Sequence, residues 1–305
     1  MNKLKIVLAM LLFIPLLLAA LFDLRGWQAG QEAASEWENF DAQPPALATT
    51  SRLEILPLYE AASVSPDLIS GHGVSYLIRT DSATILLDVG DNPENQTVAP
   101  FAQNTQALGI AWDEVDQVVI SHPHPDHIGG LSAWRERTIS FGALPGGLGE
   151  RLLFVPHVTT FKGAVHATIP TLPAPDVATT GVISYLEAWP MSLFAPRGGE
   201  QALVVHVAGH GLVLITGCGH PGLERLVTRA ESLYNAPVVG VVGGLHYQNA
   251  AVDELQPQIA FLQSRQPGLV ALSPHDSSPE ALSAFERAFP DAYSTLKVGE
   301  PIQFP

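Results

Sequence analysis

Residues 121–130 read SHPHPDHIGG and place His122, His124, Asp126 and His127 within six positions. The chain holds 11 histidines in 305 residues, so three of them in one short stretch form a concentration that composition does not produce. Neutral imidazole is a good ligand for zinc, iron or manganese-like divalent ions, and a carboxylate adds charge to the set. His122 and His124 are separated by one residue, so in an extended segment both point the same way and can bind one ion. Pro125 makes the chain turn, and Asp126 and His127 beyond it point to a second location. The pattern predicts two metal positions on one loop at a strand end. Gly129 and Gly130 permit close backbone packing beneath it.

One loop does not supply enough ligands for two ions, so the rest of the chain must provide them. His220 in LVLITGCGHPG and His275 in LVALSPHDSS each follow an apolar strand and precede a helix, where loops display ligands. Asp88 in TILLDVGD sits at a strand end, placed to brace the histidine loop from behind. His246 in VVGGLHYQN and His72 in SGHGVSY either face the same site or are buried, hydrogen-bonded histidines. His157, His166, His206 and His210 carry no pattern and read as structural. A Cys218 thiolate could ligate zinc, but a lone cysteine after a buried strand is expected to be packing.

These residues need elements to hold them. RLEILPLYE reads as a strand, and GVSYLIRT and SATILLDVG as two more, joined in a tight hairpin by Asp81 and Ser82. A helix is expected from Asn92 to Leu108 with Gly109 as its stop. DQVVIS is a buried strand leading into the histidine cluster, and a short helix follows Gly130. Residues 136–190 mix short apolar runs with Gly and Pro and read as irregular strands and loops. EQALVVHVAG and GLVLITGC form a strand pair. PGLERLVTRAESLY is helical at period 3.6 with Pro221 near its first turn. PVVGVVGG is a strand, AVDELQPQIAFLQSR a helix and GLVALS a strand. SPEALSAFERAF is a helix with Ser278 as N-cap and Pro279 at its first position. AYSTLKVG is expected to close the chain as a strand. Strands come in two runs with helices interleaved in each, which favours two sheets sandwiched between helices.

Composition bounds the rest. Hydrophobic residues make up 47% and charged residues 15%, a globular balance. The formal net charge of −15 repels phosphate backbones, so a small-molecule substrate is expected rather than nucleic acid. Cys218 is the single cysteine, which excludes an intrachain disulfide. Lys3 and Lys5 precede an uncharged apolar run from Ile6 to Phe22, long enough to span a bilayer and followed by a weak cleavage site. Residues 1–28 are therefore expected to be a signal anchor or signal peptide, 29–51 a linker and 52–305 the globular domain. The positive flank places that domain outside the cytoplasm, periplasmic or extracellular, with the membrane as a partner through the N-terminal segment.

HGVSYLI, ILLDVG, the histidine cluster, LITGCGHPG, VVGGLH and SPH together resemble the metallo-β-lactamase superfamily. The branch they resemble is that of predicted metal-dependent hydrolases similar to dihydropterin-ribofuranosylaminobenzene-phosphate synthase-like proteins. The resemblance covers about residues 53–300. It implies a four-layer αββα sandwich, an α/β fold, with the metals at one edge. It also implies one ion held by His122, His124 and His220 and a second by Asp126, His127 and His275. Many superfamily members carry a bridging aspartate after a TG turn, and Cys218 stands at that place here. Where the branch often shows HCTG, this chain has His275, Asp276, Ser277 and Ser278, and Asp276 could add a ligand oxygen.

Two divalent ions, zinc first with iron or manganese as alternatives, imply a bound hydroxide at neutral pH that attacks a carbonyl or phosphorus centre. The expectation is a dinuclear-metal hydrolase acting on an ester, lactone, amide or phosphoester. Asp126 would ligate and orient the nucleophile, Asp88 would support it, and His246 or His72 would hold substrate or protonate the leaving group. Two alternatives remain: a pterin-type synthase on the same fold, and a membrane-tethered binding protein without catalysis.

Overall fold

The computed structural model describes residues 3–144 and 147–305, without the side chains of 3–13 and 15. Two compact units divide the chain: residues 1–41 with 184–199, and residues 42–183 with 200–305.

The first unit is built on one long helix, α1 (Lys3–Glu38). Most of the apolar run from Ile6 to Phe22 falls on side chains outside the described residues. Among the described residues no helix is long and apolar enough to cross a membrane. The linker expected over 29–51 is in part helical. Residues 29–38 are helical, as their alanines and glutamates favour. Later in the chain this unit adds a two-stranded sheet. Arg197 pairs with Glu36 within the unit.

The second unit carries the sandwich. Its elements begin with β1 (Thr49–Thr50), β2 (Leu53–Tyr59), β3 (Ser75–Arg79), β4 (Thr84–Leu87), α2 (Pro100–Ala107), β5 (Gln117–Val119), α3 (Pro125–Ile128), α4 (Leu131–Glu136), β6 (Leu153–Val155), β7 (Ala164–His166) and β8 (Val177–Thr179). Strands β9 (Ile183–Leu186) and β10 (Arg197–Glu200) are the two-stranded sheet already described. Then come β11 (Leu203–Val207), β12 (Gly211–Thr216), α5 (Leu223–Tyr234), β13 (Val238–Gly243), α6 (Val252–Gln263), β14 (Leu269–Leu272), α7 (Pro279–Ala288) and β15 (Ile302–Phe304).

One sheet runs β15-β2-β3-β4-β5-β6-β7. The other runs β1-β11-β12-β13-β14, with β8 also on β11. Ile85 and Leu87 of β4, Tyr76 and Ile78 of β3, Val205 of β11 and Val213 of β12 share one buried cluster between the sheets. The alternate positions, Leu77, Leu86 and Val118, face Phe101 and Ala102 of α2 and Ile128 and Ala133 below the histidine loop. This is the period-two alternation of a strand buried on both faces. On the other sheet α5 covers β12 and β13 and α7 packs on β14. Helix α5 buries Leu223, Leu226, Val227, Ala230 and Leu233, a stripe at helical spacing. The layers are helix, sheet, sheet, helix, as the sequence implies.

Three expectations change. The helix expected from Asn92 begins only at Pro100, which occupies its first turn. Asn92 instead closes a loop, its Oδ1 accepting from Gln96 N and its Nδ2 donating to Gln96 O, both at 2.8 Å. The segment AYSTLKVG makes only single bridges, Tyr293 to Val270 and Val298 to Ser63. The closing strand is β15, antiparallel to β2. Thr49–Thr50, read as linker, pairs in parallel with β11.

Candidate metal centre

Strands β4 and β5 are parallel, as are β12, β13 and β14. Their C-terminal ends release Asp88, Ser121–His127, Cys218–His220, His246 and His275, so five strand ends deliver the candidate residues to one edge. Glycine makes the close approach of these ends possible. Gly129 follows α3 at φ +89, and a Cβ there would meet the Ser140 carbonyl.

The edge holds two groups of donors. One ligand atom from each of Asp126, His127, Cys218 and His275 lies within 4.8 Å of the others, and the same holds for His122, Cys218 and His220. His124 stands beside the second group, its Nδ1 3.1 Å from His220 Nε2. All six ligands expected from the sequence therefore converge. Cys218, expected to be packing, lies in both groups. Its Sγ is 3.0 Å from His127 Nε2 and 3.3 Å from His275 Nε2.

Behind the ligands stands a layer of buried acids and hydroxyls. Asp88 Oδ2 accepts from His127 Nδ1 at 2.7 Å and from Ser121 Oγ at 2.6 Å, and Oδ1 accepts from Ser121 N at 2.7 Å. Ser121 Oγ lies 2.9 Å from His122 Nδ1. Asp88 is thus a positioning residue, fully buried and one step removed from any ion. Two acids that the sequence did not single out do the same elsewhere. Glu60 accepts from Ser273 Oγ, from Tyr76 Oη at 2.6 Å and from His275 N at 3.1 Å, and Ser273 Oγ in turn meets His275 Nδ1. Glu200 Oε1 accepts from Cys218 N at 3.1 Å and Gly219 N at 2.8 Å, and Oε2 accepts from His220 N at 2.8 Å. Asp276 is buried and accepts from His246 N at 2.9 Å, so it supports the β13 loop and falls in neither donor group.

His72 and His246 sit at the exposed rim. His72 Nε2 is 3.3 Å from Asp126 Oδ2. The His246 ring lies 4.6 Å from that of His220. Of the four histidines read as structural, His157 is partly buried between β6 and β7 and His210 packs its ring on Phe304.

Three of the imidazoles are held neutral, with a lone pair free to donate. Burial, then the neighbouring imidazoles, hold His122, His220 and His275 below the ordinary histidine value, so they stay neutral. Burial opposes charge on His127 as well, but the Asp126 and Asp88 carboxylates outweigh it and bring its pKa to about 9. Burial raises the Cys218 thiol well above its usual value. Burial also lifts Glu60 to about 7 against the hydrogen bonds it accepts. The fit to a metal rests on one atom above all: His122 Nε2 is fully buried and has no hydrogen-bond partner. A buried polar nitrogen without a partner is costly, and a divalent ion held with His220 would supply one.

The fold is of the metallo-β-lactamase type. Residues 69–140 match the family model of the Metallo-beta-lactamase superfamily. The chain is 23% identical over 282 residues to the 7,8-dihydropterin-6-methyl-4-(beta-D-ribofuranosyl)-aminobenzene-5'-phosphate synthase of Methanocaldococcus jannaschii, covering 77% of this chain and 90% of that protein. Among solved structures it is similar to a metal-dependent hydrolase of the beta-lactamase superfamily, with a TM-score of 0.58 and 21% identity over 82% of this chain and 98% of that one. It is also similar to the metallo-beta-lactamase fold protein YhfI from Bacillus subtilis, with a TM-score of 0.50 and 12% identity over 83% of this chain and 100% of that one. At these identities the structures show the fold.

Proposed function

We propose that this chain is a hydrolase dependent on two divalent ions, acting on an ester, lactone, amide or phosphoester. The observation that carries the reading is the convergence of two donor groups, one of them holding the unpartnered His122 Nε2. His122, His124 and His220 would hold one ion and Asp126, His127 and His275 the other. Zinc suits the nitrogen-rich set, with iron or manganese as alternatives. Such ions supply Lewis acidity toward a carbonyl or phosphoryl oxygen and bring the pKa of bound water toward about 7.

The chain's own residues do the rest. Asp126 faces the rim beside His72, where it would orient the attacking water. Asp88 fixes the His127 ring through Nδ1. His246 and His72, both exposed at the mouth, hold the substrate or return a proton to the leaving group. The apolar run from Ile6 to Phe22 behind Lys3 and Lys5 supports a membrane tether, with the domain outside the cytoplasm.

The experiment is elemental analysis of the purified full chain beside the His122→Ala and His275→Ala variants, with turnover of ester, lactone and phosphoester panels. About two ions in the parent, fewer in both variants, and hydrolysis lost with the ions are expected. Full activity in a variant lacking both His122 and His124 would end the reading. The similarity to a named synthase favours a second reading, joining of a pterin to a ribosylated aminobenzene phosphate with loss of diphosphate. Product analysis separates the two, since hydrolysis incorporates solvent oxygen and transfer does not.

A further inference from the structure

We infer that Cys218 Sγ is a ligand common to both ions, a thiolate bridge, and that the centre is therefore built for thiophilic divalent cations such as zinc, cobalt and ferrous iron. The inference rests on the two-ion reading above.

The geometry separates this cysteine from ordinary packing. Cys218 is the one residue that belongs to both donor groups. Three imidazoles around it are locked in the same sense. His127 Nδ1 is taken by Asp88, His122 Nδ1 by Ser121 Oγ, and His275 Nδ1 by Ser273 Oγ. Each oxygen partner is itself fixed, because Ser121 donates to Asp88 and Ser273 donates to Glu60. The Nε2 atom of each ring is therefore the one left for the centre. Two of them lie 3.0 and 3.3 Å from Sγ, close to the ~3.6 Å that separates sulfur and nitrogen ligands on one tetrahedral zinc. The third, His122 Nε2, is buried without any partner and belongs with Cys218 and His220. A packing cysteine sits among carbon atoms, whereas this one is walled by imidazole nitrogens.

The backbone fixes the sulfur as firmly as the rings. Glu200 takes the N–H of Cys218, Gly219 and His220 in one carboxylate. The backbone that carries the sulfur and the His220 ring is thus held by one carboxylate. On coordination the S–H bond breaks, the sulfur keeps the electron pair, and the proton leaves to solvent. A thiolate there favours softer ions over manganese and magnesium, which prefer oxygen. An aspartate at the same place would not discriminate in that way.

The test is a titration of cobalt(II) into the metal-free full chain, followed by optical absorption. The sulfur-to-cobalt charge-transfer band should grow through both equivalents and vanish in Cys218→Asp, which should still take up two ions. X-ray absorption of the zinc form should give about one sulfur per zinc for a bridge and about half that for a terminal ligand. Manganese should compete poorly with zinc in the parent and at least tenfold better in Cys218→Asp. Two bound ions with no sulfur signal, or a band complete at the first equivalent, would overturn the bridge and leave the two-ion reading standing. Failure to bind any ion would remove both. The parent measurements stand without the variant, so a misfolded Cys218→Asp does not spare the proposal.

Discussion

Glu200→Gln isolates the support beneath the second donor group. The carboxylate is fully buried and accepts three backbone N–H bonds, two on Oε1 and one on Oε2. Glutamine keeps one oxygen, which can serve Cys218 and Gly219 as before. Its amide group then faces His220 N–H, donor against donor. One hydrogen bond to a charged acceptor is lost, worth about 1.5–3 kcal/mol. Removing a buried charge returns part of that, so a net loss of about 1–2 kcal/mol is expected. At roughly 2–4 °C per kcal/mol for a domain of this size, the melting midpoint should fall by about 2–8 °C. The more telling effect is on the ion. His220 loses the bond that sets its backbone, and loss of such a support typically weakens metal affinity about 10–100-fold. Competition against a chromophoric zinc chelator measures this directly. Glu200→Ala leaves three N–H groups bare and should lose more stability. A Glu200→Gln protein that melts lower but holds both ions with parental affinity would refute the argument, because the carboxylate would then be merely structural.

Gly217→Ala should act on the same edge from the other side. A Cβ there would overlap Ser121 Oγ and come within 3.1 Å of Asp88 Oδ2, so a loss of about 1–3 kcal/mol is expected by overpacking, with weaker ion binding in the same chelator competition; parental stability and affinity would contradict the close approach of these groups. His157 gives a pH test away from the centre. Burial, then His166, lowers its pKa from 6.5 to about 4. The unfolded chain therefore binds more protons between those values, and stability is lost as pH falls from 6.5 toward 4, by about 3 kcal/mol if the full shift acts. Denaturant unfolding of His157→Phe across that window should show a shallower pH slope than the parent, and an unchanged slope would sink the assignment.

The sandwich is legible because both of its sheets are buried on two faces. Such strands read as short apolar runs, and TILL, QVV, GLVLIT, VVGVVG and LVAL stand out between helical patterns. Ser278 and Pro279 mark the start of α7 as expected, with Ser278 Oγ accepting from Ala281 N at 3.1 Å. The elements that escape a sequence reading depend on partners far along the chain. The three-residue β15 lies between Pro301 and Pro305 and becomes a strand only by pairing with β2. Thr49–Thr50 is a strand only because β11 lies beside it. Local propensity carries no trace of either pairing.

The site divides along a similar line. The candidate ligands are readable because a metal ion would need particular side chains, and the chain concentrates them in one loop and after strand ends. The supports are not, because a buried acid that accepts backbone N–H groups needs no motif. Glu60 reaches Ser273 and His275 from 213 and 215 residues away. Glu200 holds backbone whose sequence is irrelevant to the bond. Yet one physical signal is available. An unpaired buried carboxylate costs several kcal/mol, so an acid at the end of a strand entering a core needs a reason. Asp88 meets that description and is recognisable because it stands near the histidine loop. Glu60 follows β2 and Glu200 ends β10 in the same manner. In a chain that already shows a candidate metal-binding loop, every acid that terminates a strand is a candidate for holding that loop or its partners in place. The rule picks out Glu60, which closes RLEILPLYE, from the order of residues; Glu200 opens EQALVVHVAG in that reading and is a strand end only through β10.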